Sequence, residues 1–277
     1  MGAYPYPLFK SMEQLLYVVK AVYEAGHPVF VVGDAFNGIH GSATLVTAVH
    51  IAVPDEQMEP VVELLLSIGL KRASVEAWDR MPSVPWPQTR LRISPDHGMD
   101  LFVDPASAWH LNVADDMRSN SSTASDLSEE LRSQAIPGCE WACILPDILK
   151  YTDAVIDTLI TLCSADKPTT SLVMYYRSHF EELMLALKRG DYYDQLPPEN
   201  KFVADLRRLG FPHQSYERIS KLRQRIRSKE ITSEKAKELY LGQEGMKAVN
   251  CGIRSHRLHA IWAAEKRGKP IPARWWE

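Results

Sequence analysis

Cysteine is scarce in this chain, and so is any long apolar run. The four cysteines, Cys139, Cys143, Cys163 and Cys251, are few and unevenly spaced in 277 residues. They fit no small disulfide scaffold. Cys139 and Cys143 lack the second Cys or His pair that a zinc site needs, so reduced thiols in a cytoplasmic protein are the expectation. No window approaches the roughly 18 uninterrupted apolar residues of a membrane span, and no membrane partner is expected. The first seven residues, Met1 to Pro7, contain no basic stretch leading into an apolar one, so no secretory leader is read there. Gly2 lacks the Ser or Thr at position 6 that myristoylation wants, since Tyr6 stands there. No fixed-period repeat is visible, which excludes a solenoid.

What is present is an ordinary globular composition, 45% hydrophobic and 24% charged, with a strong charge asymmetry behind a net of −3. Residues 1–150 carry a net of −9, residues 151–200 a net of −4 and residues 201–277 a net of +10. An acidic front joined to a basic rear suggests either a polyanion held by the rear or two lobes that neutralise each other.

Along the chain, Ser11-Met12-Glu13-Gln14 fits a capping box, which predicts a helix opening there with Ser11 as its N-cap and closing at Gly26. Pro28 to Gly33 reads as a buried strand. A loop containing Gly38 and Gly41 leads to a second strand over Thr47–Val53. Asp55 to Ile68 reads as a helix with Pro60 near its first turn, and a polar strand is expected over Lys71–Trp78. Thr89–Ile93 alternates, with Arg90 and Arg92 expected outward and Leu91 and Ile93 inward. Met99–Val103 reads as a buried strand stopped by Asp104-Pro105, and Ser119–Ser125 as a surface loop. After Pro146 only helices are expected, over 147–162, 170–188, 200–209, 214–229, 233–241 and 245–266. The fold class is therefore α+β: a small mixed sheet with flanking helices over residues 1–150, then a helical, basic region over 151–277.

The segments Val32-Gly33-Asp34, Gly41-Ser42 and Thr47-Ala48-Val49-His50-Ile51-Ala52-Val53, followed by Met99-Asp100-Leu101-Phe102-Val103, carry the chemistry. Together they resemble the opening of the nucleotidyltransferase superfamily, the DNA-polymerase-β-like fold, over roughly residues 11–104. That resemblance implies a strand ending in Gly-Gly or Gly-Ser: Gly33 matches the first glycine, Asp34 stands where the second Gly or Ser is usual, and Gly33, Asp34 and Ser42 are the candidate residues of a nucleotide pocket. It also implies a strand bearing Asp-x-Asp and a third acid on a neighbouring strand. Two carboxylates at i and i+2 share one strand face and can hold magnesium against a triphosphate, and the third completes a two-metal clamp. Here the frame is kept but Ala48 and His50 stand where the acidic pair belongs, and Asp100 stands as the third acid. An Ala supplies no ligand and a His is a poor one for magnesium.

Three readings follow from that degenerate site. It is inert and the protein binds without turnover, or His50 and Asp100 move protons without metal. In the third, His50, Asp100 and Asp34 or His97 take a softer ion such as zinc or manganese. No cofactor follows from the residues themselves. His50 could also be a buried histidine with one hydrogen bond, and Asp34 the N-cap of the next short helix.

In the rear, Arg218, Lys221, Arg225 and Lys229 fall three, four and four residues apart and predict a cationic helix stripe, widened by Arg223 and Arg227. Such a stripe can follow a phosphate backbone, and Arg274-Trp275-Trp276 could stack a base; a solvated helix face and packed tryptophans would look alike. Relatives of the fold that act on tRNA ends make tRNA the expected partner, beside a nucleotide or nucleotide-linked small molecule. The function expected is a transferase on a nucleotide- or RNA-linked substrate, an aminoacyl-tRNA for example. The alternative is a non-catalytic pseudoenzyme that binds RNA or a protein through its basic helices.

Overall fold

The structure is a computed structural model. It describes residues 6–40, 46, 48–73, 86–93, 99–119, 141–164, 170–189, 192–208 and 216–250, and from the last stretch 260–261, 263–265 and 267–271. Ser42, Thr47 and His97 of the expected site lie outside these residues, as do Arg274, Trp275 and Trp276.

Helix α1 spans Tyr6–Glu24. Ser11 therefore lies inside the helix and does not cap it, contrary to the capping-box expectation. Pro7 sits in the first turn, where a missing N–H costs nothing. Strand β1, Phe30–Val32, leads directly into α2, Gly33–Ile39. The expected glycine loop is thus helical up to Ile39, with Gly38 in the last turn. Strand β2 covers Ala48–Val53, and a 3-10 turn at Asp55–Gln57 precedes α3, Met58–Ser67. Strands β3, Lys71–Arg72, β4, Thr89–Arg92, and β5, Asp100–Pro105, complete the sheet. Asp104 does not stop β5; it lies within it. Then come α4, Val113–Ser119, α5, Ile148–Ser164, and α6, Thr170–Arg189.

The sheet order is β1-β2-β5-β4-β3, with β2 and β5 parallel and the other pairs antiparallel. The β2–β5 register sets Ala48 opposite Asp100, His50 opposite Phe102 and Ala52 opposite Asp104. Since side chains alternate faces, these six share one face. Arg90 pairs with Phe102 on the other side of β5, so Arg90 and Arg92 belong to the same face. The intervening Val49, Ile51, Leu101, Val103 and Leu91 are fully buried apolar residues, and α1 and α3 pack against β2 and β5. The fold class is α+β, a mixed five-stranded sheet with flanking helices followed by a helical C-terminal region.

Two compact units make up the chain. One comprises Met1–Leu162 with Lys167–Asp191, the other Cys163–Asp166 with Tyr192–Glu277. The boundary expected at 150/151 falls within α5, and α6 goes with the sheet. The second unit contains α7, Pro198–Arg208, α8, Tyr216–Arg227, and α9, Ser233–Asn250, which pack on one another. The break expected after residue 241 is present within α9 as a kink at Gly242, whose backbone is non-helical, with helix on either side.

Candidate active site

The polar face of the sheet is built around Asp104. This residue is fully buried, and its two oxygens accept from four donors. His50 Nδ1 lies 2.9 Å from Oδ2 and Trp109 Nε1 donates to the same oxygen at 3.3 Å. Gln88 Nε2 donates to Oδ1 at 2.6 Å and Trp86 Nε1 at 3.2 Å. A carboxylate only accepts, so the proton in the His50 contact sits on Nδ1. In the neutral ring the opposite nitrogen, Nε2, is then a bare acceptor. It is buried and has no hydrogen-bond partner among the described residues. The ring plane is fixed by Phe102, stacked at 4.7 Å with planes 9° apart, and by the edge of Trp109.

Asp100 plays a different part from the one expected. His50 and Asp100 do share a face of adjacent strands, one register step apart, but the hydrogen bond of His50 goes to Asp104. Both oxygens of Asp100 face β4. Arg92 Nε donates to Oδ1 at 2.6 Å and its Nη2 to Oδ2 at 3.1 Å, while Arg90 Nε donates to Oδ2 at 2.6 Å. Burial alone would raise the Asp100 carboxyl, but the hydrogen bonds and charges of Arg92 and Arg90 outweigh it and hold the group below the ordinary carboxylate range. Arg90 and Arg92 are thus turned to this carboxylate and are only 12% and 28% exposed, a correction to their expected outward placement. The cause is cross-strand pairing: a buried acid opposite two guanidiniums recovers its desolvation cost.

Gly33 closes the site from the β1–α2 junction. Its φ of +69° suits glycine, and its N–H donates to Tyr151 Oη at 2.7 Å. A Cβ there would stand 3.1 Å from Tyr175 Oη and 3.6 Å from both Cβ and Cδ2 of His50. Behind it, Tyr151 Oη lies 2.8 Å from His179 Nε2. Asn37 Nδ2 donates to the carbonyl of His179 at 3.1 Å and lies 2.7 Å from its Nδ1. Nδ1 therefore accepts, and Nε2–H donates to Tyr151. His179 is neutral in this network; burial, with His50 adding, brings its pKa from 6.5 down to about 3.

Asp34 is the second residue of α2. The N-cap is Val32 with no side-chain bond, so Asp34 does not cap the helix. Its carboxyl is raised by burial, lowered by His50 and raised by Glu182, with burial prevailing. Tyr175 carries a buried hydroxyl without a hydrogen-bond partner among the described residues.

The magnesium that the resemblance implies does not fit these residues. Ala48 offers no ligand, His50 presents nitrogen, and both Asp100 oxygens are engaged by arginine. Among the described residues no group of three or more His, Cys, Asp or Glu could hold a metal ion.

The basic stripe lies on α8 in the second unit. Arg218 donates to the carbonyl of Leu239 and sits over the Tyr240 ring. Lys221 pairs with Glu217 at 2.6 Å and Arg225 with Glu230 at 2.7 Å, while Lys229, just beyond the helix, is exposed. Arg223 is buried, not part of the charged face, and donates to Asn200 Oδ1 at 2.9 and 3.1 Å.

The residues missed from sequence are Asp104, Tyr151, Tyr175 and His179. Only Asp104 had a visible signal, the i, i+2, i+4 spacing of Asp100, Phe102 and Asp104 on one strand.

What this geometry defines is an imidazole oriented by a fully buried carboxylate and a stacked ring. Among solved structures, the chain is similar to ANT(2")-Ia, an aminoglycoside nucleotidyltransferase solved in complex with adenylyl-2"-tobramycin. The match has 14% identity and a TM-score of 0.34, over 80% of this chain and 99% of that one, a distant likeness at most. No family model matches the chain, and no curated protein does. No helix among the described residues is long and apolar enough to cross a membrane.

Proposed function

We propose that the protein is a catalytically altered, nucleotidyltransferase-like transferase. It acts on a nucleotide- or RNA-linked substrate, an aminoacyl-tRNA for example, without the two-magnesium site. His50 is the proton acceptor. The observation that supports this is the pairing of Nδ1–H with buried Asp104, which in the neutral ring leaves Nε2 an acceptor without a partner among the described residues. A carboxylate behind an imidazole fixes its tautomer and stabilises the charge it gains when it takes a proton. Asp104 then has the part expected of Asp100, while Asp100 keeps Arg90 and Arg92 gathered beside the pocket.

The alternative, a non-catalytic RNA-binding protein, draws on α8. Three of its four stripe cations are already engaged within the second unit, so fewer observations favour it.

The test is transfer from labelled nucleoside triphosphates or aminoacyl-tRNA in the presence of EDTA. Turnover is expected to persist in EDTA and to fall by about 10²- to 10⁴-fold in His50→Gln, the usual worth of a positioned base. Turnover that requires added magnesium, or that survives His50→Gln, would overturn the assignment. Salt-dependent tRNA binding with no turnover would favour the alternative.

A further inference from the structure

Two buried polar groups in the first unit have no hydrogen-bond partner among the described residues and lie beside the same glycine, Gly33: His50 Nε2 and Tyr175 Oη. Native interiors rarely leave such groups unpaired, because each costs about 1–3 kcal/mol in lost solvation. The position of Gly33 locates them. The point where a Gly33 Cβ would stand lies 3.1 Å from Tyr175 Oη and 3.6 Å from His50 Cδ2, the ring carbon bonded to Nε2. The two groups therefore flank one glycine, and any side chain there would crowd the space between them. The rings are 6.4 Å apart, centroid to centroid, so they do not touch. Asp34 and Tyr175 are each partly exposed as residues, while the two polar atoms themselves are buried.

We propose that the space between His50 Nε2 and Tyr175 Oη seats a ribose hydroxyl of the substrate. This deepens the transferase reading given above and rests on it. The chemistry follows from complementarity. Asp104 holds the proton of His50 on Nδ1, so Nε2 needs a donor. Tyr175 keeps its proton, because burial and the nearby Asp34 push its hydroxyl well above the ordinary phenol range. It therefore needs an acceptor. A hydroxyl supplies both from one oxygen, donating to Nε2 and accepting from Tyr175. An ammonium has no lone pair for Tyr175, and a fully ionised phosphate ester has no proton for Nε2. Ribose is the hydroxyl carrier that a nucleotide and an RNA end share.

The test is calorimetric binding of adenosine, 2′,3′-dideoxyadenosine and inorganic phosphate to the intact chain, wild type, Tyr175→Phe and His50→Gln. Adenosine is expected to bind the wild type and dideoxyadenosine to bind about 10- to 100-fold more weakly, two neutral hydrogen bonds' worth. Tyr175→Phe should cost adenosine about three- to tenfold, one bond's worth, and dideoxyadenosine little, so the two changes are not additive. Tyr175→Phe should also melt no lower than wild type, because it deletes an unpaired buried hydroxyl; a merely structural tyrosine would not move the adenosine affinity. Equal binding of adenosine and dideoxyadenosine overturns the proposal, as does competition by phosphate. Absence of adenosine binding to folded wild type overturns it too, leaving a space for water only. Loss of turnover in His50→Gln together with equal binding of the two nucleosides would sink this inference while sparing the transferase reading.

Discussion

His179 is buried and neutral, held between Asn37 and Tyr151, with its pKa near 3 against 6.5 in an unfolded chain. Between those values the unfolded state binds a proton that the folded state refuses. Its contribution to stability is therefore whole above pH 6.5 and drains away as pH falls toward 3, by up to about 1.4 kcal/mol per unit. Urea unfolding of wild type and His179→Gln at pH 7, 6, 5 and 4 checks this. The stability gap between them should be widest at pH 7 and narrow with acidification; parallel curves would show that His179 is not the neutral member of the network. This residue and its tyrosine neighbours could not be found in the sequence. They lie on helices a hundred or more residues beyond the strands they cover, and nothing local marks a helix residue as the lid of a distant strand. His50 was legible because it interrupts an apolar strand at a position where an acid was expected.

At the level of elements, the strands carrying the site followed from their β-branched runs, and the face shared by His50 and Asp100 followed from period-two alternation on neighbouring strands. Alternation names the residues that share a face, but it does not say which face is covered. Alternation alone accordingly sends Arg90 and Arg92 to solvent, and Asp104 reads as a strand stop because it precedes proline. The helical half was legible from apolar periodicity, and the gap expected after Leu241 corresponds to the kink in α9. There Gly242 has φ +75° and ψ 178°, a region essentially reserved for glycine. A Cβ would stand 2.6 Å from Oε1 of Glu265, whose carboxylate accepts from the N–H groups of Glu244 and Gly245 at 3.2 and 3.3 Å. Gly242→Ala should therefore destabilise by about 2 kcal/mol or more. In thermal unfolding, adding Glu265→Ala should relieve the contact but not the backbone strain, giving partial recovery. An unchanged melting temperature for Gly242→Ala would show that the kink is not held as described.

For the whole molecule, the charge asymmetry was the clearest long-range signal, and it has two distinct structural expressions. In the first unit an acidic excess coexists with buried carboxylates that are each answered by specific donors: Asp104 by four N–H groups, Asp100 by two guanidiniums. In the second unit much of the basic excess is engaged locally, with Arg223 buried on Asn200 and Arg227 on Glu199 at 3.3 Å. Net charge by segment could not separate those uses, because it counts charges without their partners. What sets this chain apart is the exchange of a carboxylate pair for an alanine and an oriented imidazole, and everything proposed for its chemistry follows from the tautomer of that ring. Long-range proton–nitrogen correlation NMR on the intact, histidine-labelled protein near pH 7.5 reads it directly, with His50 assigned by its disappearance in His50→Gln. The proton should be found on Nδ1, with Nε2 resonating as a bare acceptor, and Asp104→Asn should disturb that pattern. A proton found on Nε2 of the resting protein would contradict the assignment of His50 as the base.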